Sequence, residues 1–189
     1  MPVRFRWIGL FPLLFFAIRL IDQWRAGVPQ DALWMCNFSN LTLALGLFFA
    51  QAAMIRASVL WLLVGLPMWI WYLLQAGHYA WSSWFTHLGA LLIGAIALYY
   101  IRADRRAWMW AFVGFVVLQQ ICRMFTPAAL NVNMAHGLKV GEFDTVWMSL
   151  MSGYWQFWLL SLPLVSACLW LANIIALRLF PPSVQINSN

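Results

Sequence analysis

Apolar residues run along this chain in blocks of about twenty, broken by short polar turns. Six blocks stand out, at about 7–24, 32–54, 58–78, 83–101, 107–125 and 150–178. A helix needs roughly 20 apolar residues to cross a bilayer. The pattern therefore predicts an all-α polytopic bundle, one domain over residues 1–180 with six transmembrane helices. The last block is too long for one perpendicular span. It is expected to begin as a tilted or interfacial segment near Trp147 and to kink at Pro163. Residues 181–189, "PPSVQINSN", read as a helix stop followed by a disordered polar tail. The opening "MPVRFRWIGLFPLLFF" resembles a signal peptide, but no small-x-small cleavage site follows and Arg19 and Asp22 do. It reads as an uncleaved first helix.

The polar positions are unevenly placed. Arg4, Arg6, Arg56, Arg102, Arg105, Arg106 and Arg178 fall on one side of the predicted membrane. Arg19, Arg25, Arg123 and Lys139 fall on the other. Basic residues mark cytoplasmic loops, so both termini are expected in the cytoplasm. At the opposite side, nearly every helix end is polar: Arg19, Asp22 and Gln23; Cys36, Asn37 and Asn40; Ser82, Ser83, Thr86 and His87; Gln119, Gln120 and Arg123; Ser149, Ser152, Tyr154 and Gln156. The cytoplasmic halves are almost wholly apolar. Polar side chains at membrane depth face a bundle interior or water, so this asymmetry predicts a cavity open to the non-cytoplasmic side.

Composition agrees with the membrane reading. The chain is 65% hydrophobic and 8% charged, against roughly 25% charged in soluble proteins, and its mean hydropathy is +0.79. Fourteen Trp residues fit the aromatic belts of membrane interfaces. The net charge of +6 is scattered rather than gathered on one face, which argues against nucleic acid as a partner. Cys36, Cys122 and Cys168 have no disulfide or zinc-motif spacing. His78, His87 and His136 lack the close spacing of metal ligands, and Asp and Glu are scarce. No metal and no cofactor is expected.

The sharpest chemical pair is Cys36 and His87. Each lies about five residues inside its predicted helix, roughly 6–8 Å deep at about 1.5 Å per residue. His87 begins a small-residue face, Ala90, Gly94 and Ala97, of the kind that packs against other helices. A thiol needs a base to become a good nucleophile, and Asn37 or Asn40 could donate to a developing oxyanion. A small packing residue is the plain alternative for Cys36. Arg19 and Asp22, three apart, are expected to pair at the interface, or Arg19 and Arg123 to hold a lipid head group. In the long loop "TPAALNVNMAHGLKVGEFDT", Asn131, Asn133 and His136 are placed to overhang the cavity; ordinary turn chemistry is the alternative. Two glycosylation sequons, at Asn37 and Asn40, fall inside the helix and carry little weight.

Three stretches, "LWMCN" at 33–37, "FTHLGALLIGAIALYYI" at 85–101 and "NVNMAHG" at 131–137, occur in the order of helix 2, helix 4 and the loop after helix 5. In this the chain resembles the YwaF-type six-helix integral membrane family, related to the androgen-induced fatty-acid ester hydrolases and to an ether-phospholipid acyltransferase. The resemblance implies a nucleophile from helix 2 and a His from helix 4, which map onto Cys36 and His87. A Cys in place of the hydrolases' Thr lies nearer the acyltransferase branch. The expected function is then an intramembrane lipid acyl-ester hydrolase or acyltransferase in a bacterial inner membrane, with membrane lipids as partners. The competing expectation is a non-catalytic membrane protein: a lipid or small-solute carrier, or an assembly subunit.

Overall fold

The computed structural model describes residues 2–76, 80–136 and 154–182. These residues are helical and contain no strand: α1 (Val3–Arg6), a 3-10 turn (Trp7–Gly9), α2 (Leu10–Arg25), a 3-10 turn (Pro29–Leu33), α3 (Met35–Phe48), α4 (Ala52–Ala76), α5 (Ser82–Trp84), a π turn (Phe85–Gly89), α6 (Ala90–Ile101), α7 (Ala107–Phe125), a 3-10 turn (Val132–Met134) and α8 (Tyr154–Leu179). His78, Lys139, Trp147, Ser149, Ser152 and most of the C-terminal tail lie outside the described residues.

Four helical stretches are long and apolar enough to cross a membrane: Ala52–Leu74, Ser82–Ile101, Ala107–Phe125 and Tyr154–Leu179. Their outward faces carry large apolar side chains, with Leu74 75%, Leu164 67% and Trp110 64% exposed. Water would not tolerate such continuous apolar surface on a monomer, whereas lipid does. Over its described residues the chain is all-helical, and its four long apolar helices make it a multi-pass membrane protein.

The first two predicted spans differ from this pattern. The second was expected to run from 32 to 54, but α3 has 14 residues, Met35–Phe48, or roughly 21 Å at about 1.5 Å per residue, against a hydrocarbon core of about 30 Å. It ends because Ala50 turns left-handed, with φ 53°. There Gln51 N–H donates to Gly46 O at 2.8 Å and Ala50 N–H to Leu47 O at 3.2 Å. That is a Schellman-type stop without the glycine that would have announced it. The released chain starts α4 at Ala52, six residues before the expected position. On the other side, α2 has 16 residues and carries Arg19, Asp22 and Arg25.

Helix α4 lies at the centre and touches α3, α6, α7 and α8. Two buried clusters flank it. Leu43, Leu47, Ile55, Leu62, Ala90 and Ala97 fill one side, and Leu60, Trp61, Leu98, Ala111 and Leu169 the other. Trp61 reaches Gly114 of α7, and its Nε1–H donates to Ala111 O at 2.9 Å. The expected small-residue face does meet a neighbour. Ala90 and Ala97 are fully buried, and Gly94 abuts Val59 of α4. At the end carrying the N-terminus of α4, Arg56 donates to Arg102 O at 2.9 Å and Ile101 O at 3.0 Å, and pairs with Asp104 at 3.8 Å. This cation closes the C-terminus of α6, where the carbonyls have run out of amide partners. So α6 is fixed on α4 at one end by Arg56, and the other end holds the site.

Candidate functional site

The C-terminal turn of α2, the N-termini of α3 and α5, and the π turn come together at one end of the bundle. Asn40 makes the central link. Its Nδ2 donates to Cys36 O at 3.0 Å on its own helix and to Thr86 O at 2.9 Å in the π turn. Both neighbours are acceptors, so the amide nitrogen must face them, and both of its protons are used. Asn37 Nδ2 likewise donates, to Asp31 O at 2.9 Å. The expected oxyanion role meets a physical obstacle at Asn40, whose two donors are both engaged in holding the backbone; Asn37 spends one of its two. The atoms left without a partner are their acceptors, Asn37 Oδ1 and Asn40 Oδ1.

His87 sits in the π turn, 5% exposed. Such a turn widens the helix locally and occurs often at functional sites. Nδ1 lies 2.8 Å from Ser83 O. A carbonyl can only accept, so Nδ1 carries the proton and Nε2 is left as the basic nitrogen. The ring stacks on Trp69 of α4, with centroids 4.7 Å apart and 12° between planes, while Trp69 Nε1–H donates to Ser83 Oγ at 3.3 Å. His87 is thus fixed in tautomer by its own helix and in plane by α4.

Cys36 packs against the same face of α4. A Cβ added at Gly65 would lie 3.3 Å from Cys36 Cβ, and Gly65 precedes Trp69 by one helical turn. Thiol and imidazole therefore stand on neighbouring turns of one α4 face. Among the described residues no hydrogen bond joins them; His87 bonds only within its own turn, to Ser83 O and Thr86 Oγ1. Arg19 lies within electrostatic reach of Asp31, Cys36 and His87.

The expected Arg19–Asp22 pair does not form. Arg19 Nε and Asp22 Oδ2 are each buried without a partner, as are Gln23 Oε1 and Ser82 Oγ. A helix places residues three apart within reach, but long side chains bond only if no other surroundings compete. Among the described residues the polar groups at this end are closely packed: Asn37, Asn40, Thr86, His87 and Gln119 are all at most 5% exposed. Unpartnered buried polar atoms are rare in folded proteins and call for water, an ion or a ligand.

Arg123 and Asn131 stand apart from this group. The Arg123 guanidinium carbon lies 3.2 Å from the Tyr154 ring centroid and 5.2 Å from that of Trp155, at the α7–α8 end. Asn131, left-handed at φ 44°, accepts His136 N–H at 2.9 Å and shapes its own loop. Asn133 reaches further, with bonds to α3 and α7. Its anchoring role had no signal in the sequence beyond its place in the loop, and neither did those of Trp69 and Gly65. The Ser83–His87 bond could have been anticipated from the four-residue spacing. Among the described residues no three His, Cys, Asp or Glu side chains gather as a metal site. Burial raises the Asp31 carboxyl above the usual carboxylate range, against the lowering pull of the Trp34 Nε1–H and Arg19. No protein-family model, no curated protein and no solved structure matches this chain.

Proposed function

We propose that this end of the bundle handles the ester-bearing head of a membrane lipid, as an intramembrane acyl-ester hydrolase or acyltransferase. The observation that carries the reading is the buried His87, held at Nδ1 by Ser83 O with Nε2 left basic, one α4 turn from the Cys36 contact. In this reading the Cys36 thiol gives its proton to His87 Nε2 as sulfur adds to the acyl carbonyl. The C–O bond then breaks, and the proton passes to the departing alkoxide. Water, or the hydroxyl of a second lipid, takes the acyl group from the thioester while His87 again moves one proton. Direct proton exchange requires the two side chains to close to about 2.6–3.2 Å, or to share one water. Arg19, electrostatically coupled to both, takes the place foreseen for the carboxamides as the group that meets negative charge. The unpartnered oxygens of Gln23, Asn37, Asn40 and Asp22 accept from donors of the head group or of bound water.

Six spans with both termini cytoplasmic, in a bacterial inner membrane, complete the proposal. Seven basic residues against four support that orientation. The test is labelling of the detergent-solubilised protein with a thiol-reactive acyl probe. Labelling at Cys36, separated from Cys122 and Cys168 by peptide mass spectrometry, should outpace theirs and fall in His87→Ala; Cys36 labelling that is unchanged in His87→Ala would sink the mechanism. The second reading, a non-catalytic lipid-binding or assembly protein, draws on two observations: both Asn40 donors are spent on backbone, and among the described residues no Cys36–His87 hydrogen bond is formed. It predicts lipid co-purification that Arg19→Gln reduces, without acyl transfer to Cys36.

A further inference from the structure

Helix α3 begins without a local cap. The side chain of its N-cap residue, Trp34, makes no capping bond, although the first amides of a helix lack intrahelical acceptors. The missing acceptor comes from 98 residues away: Met35 N–H donates to Asn133 Oδ1 at 2.7 Å. The same carboxamide donates through Nδ2 to Leu33 O at 2.7 Å and to Cys122 Sγ at 3.3 Å on α7. Its backbone oxygen accepts Gln119 Nε2–H at 3.3 Å, and Gln119 Oε1 in turn accepts the Trp158 Nε1–H of α8 at 3.0 Å. Asn133 is 3% exposed and left-handed, with φ 55°. Asn tolerates that conformation better than most side chains. One carboxamide thus grips the backbone on both sides of Trp34, immediately before Cys36, and ties it to α7, while the Asn133 main-chain oxygen continues the link through Gln119 to α8.

We propose that Asn133 is the positioning residue of Cys36, and that segment 126–136 is a strap holding the first turn of α3 in register with the π turn. The strap is itself stiffened: Thr126 Oγ1–H donates to Cys122 O at 2.6 Å, and His136 Nε2 lies 3.1 Å from Thr126 O. Without the Asn133 side chain, Met35 N–H and Leu33 O lose their long-range partners, and the turn carrying Cys36 opens locally while the rest of α3 stays packed. The inference rests on Cys36 being the working thiol, but its readout is thiol exposure rather than acyl transfer, so either can fail alone.

The experiment compares wild type with Asn133→Gly and Asn133→Asp. Both replacements accept a positive φ; glycine removes the carboxamide, and aspartate keeps an acceptor for Met35 N–H while losing both donors. Each protein is alkylated with N-ethylmaleimide in detergent, and modification of Cys36, Cys122 and Cys168 is followed by peptide mass spectrometry, with far-UV circular dichroism as the check on folding. Loss of one to two net hydrogen bonds corresponds to about fivefold to thirtyfold easier opening. The expected result is Cys36 alkylation faster by that factor in Asn133→Gly, less so in Asn133→Asp, with Cys168 unchanged and helicity kept. Cys36 alkylation at the wild-type rate in both variants overturns the proposal. Parallel acceleration at all three cysteines also overturns it, because Asn133 would then be a general staple.

Discussion

Gly94→Ala probes the α4–α6 contact that keeps His87 over Trp69. A Cβ at position 94 would lie 2.5 Å from Val59 Cγ2, with the next atoms at 3.8 and 3.9 Å. Carbon atoms prefer about 3.5–4.0 Å, so one methyl on one neighbour takes the whole overlap. Val59 is 2% exposed and β-branched, and in a helix it has one strongly preferred rotamer; it cannot swing aside. Overpacking of this kind costs about 1–3 kcal/mol, and the gain in helix propensity from Gly to Ala offsets up to about 1 kcal/mol. With the full offset the expected net loss is about 0–2 kcal/mol, or up to roughly 8 °C in Tm for a chain of this size. Val59→Ala alone costs about 1–3 kcal/mol through lost burial and a small cavity. In the double variant the two methyl groups no longer overlap, and the methyl added at position 94 fills part of the vacated space. Reversible unfolding in mixed micelles, followed by circular dichroism, should therefore give a coupling energy of about 1–2 kcal/mol. Additivity within about 0.5 kcal/mol would refute the packing argument.

Two further predictions follow from local features. Asp31→Asn should raise Tm at neutral pH. Burial raises the Asp31 carboxyl in the folded chain, so the folded state holds its proton more tightly than the unfolded state; stability is fullest below the usual carboxylate range, falls as pH rises through the raised value, and is flat above it. The substitution removes that fall, and a pH series of melting curves in which wild type and variant run parallel would contradict it. Ala50→Gly should stabilise by about 1 kcal/mol, because Ala50 holds φ 53° and a left-handed Ala costs roughly 1–2 kcal/mol, partly returned as unfolded-state entropy by glycine; an unchanged or lower Tm would count against the assigned turn.

Hydrophobic blocks alone determined that the chain is helical, that it belongs in a membrane and that its polar groups gather at one end. Those properties follow from transfer free energy summed over twenty residues, which depends little on neighbours. The small-residue face after His87 was legible for the same reason, since Ala90, Gly94 and Ala97 recur at helical spacing. Helix ends were less so: Ala50 stops α3 where a glycine would have been the signal, and α4 begins early as a consequence. Only the tertiary structure decided what the polar groups do. Asn40 reads as a free donor in the sequence, yet Thr86 O, 46 residues away, takes one proton and Cys36 O the other. Arg19 and Asp22 read as a pair and are not one. Asn133 reads as a loop residue and is the cap of a helix 98 residues distant. A hydrogen bond depends on where two atoms end up to within a few tenths of an ångström, and that placement is set by the packing of α4 against its neighbours, which no local pattern encodes.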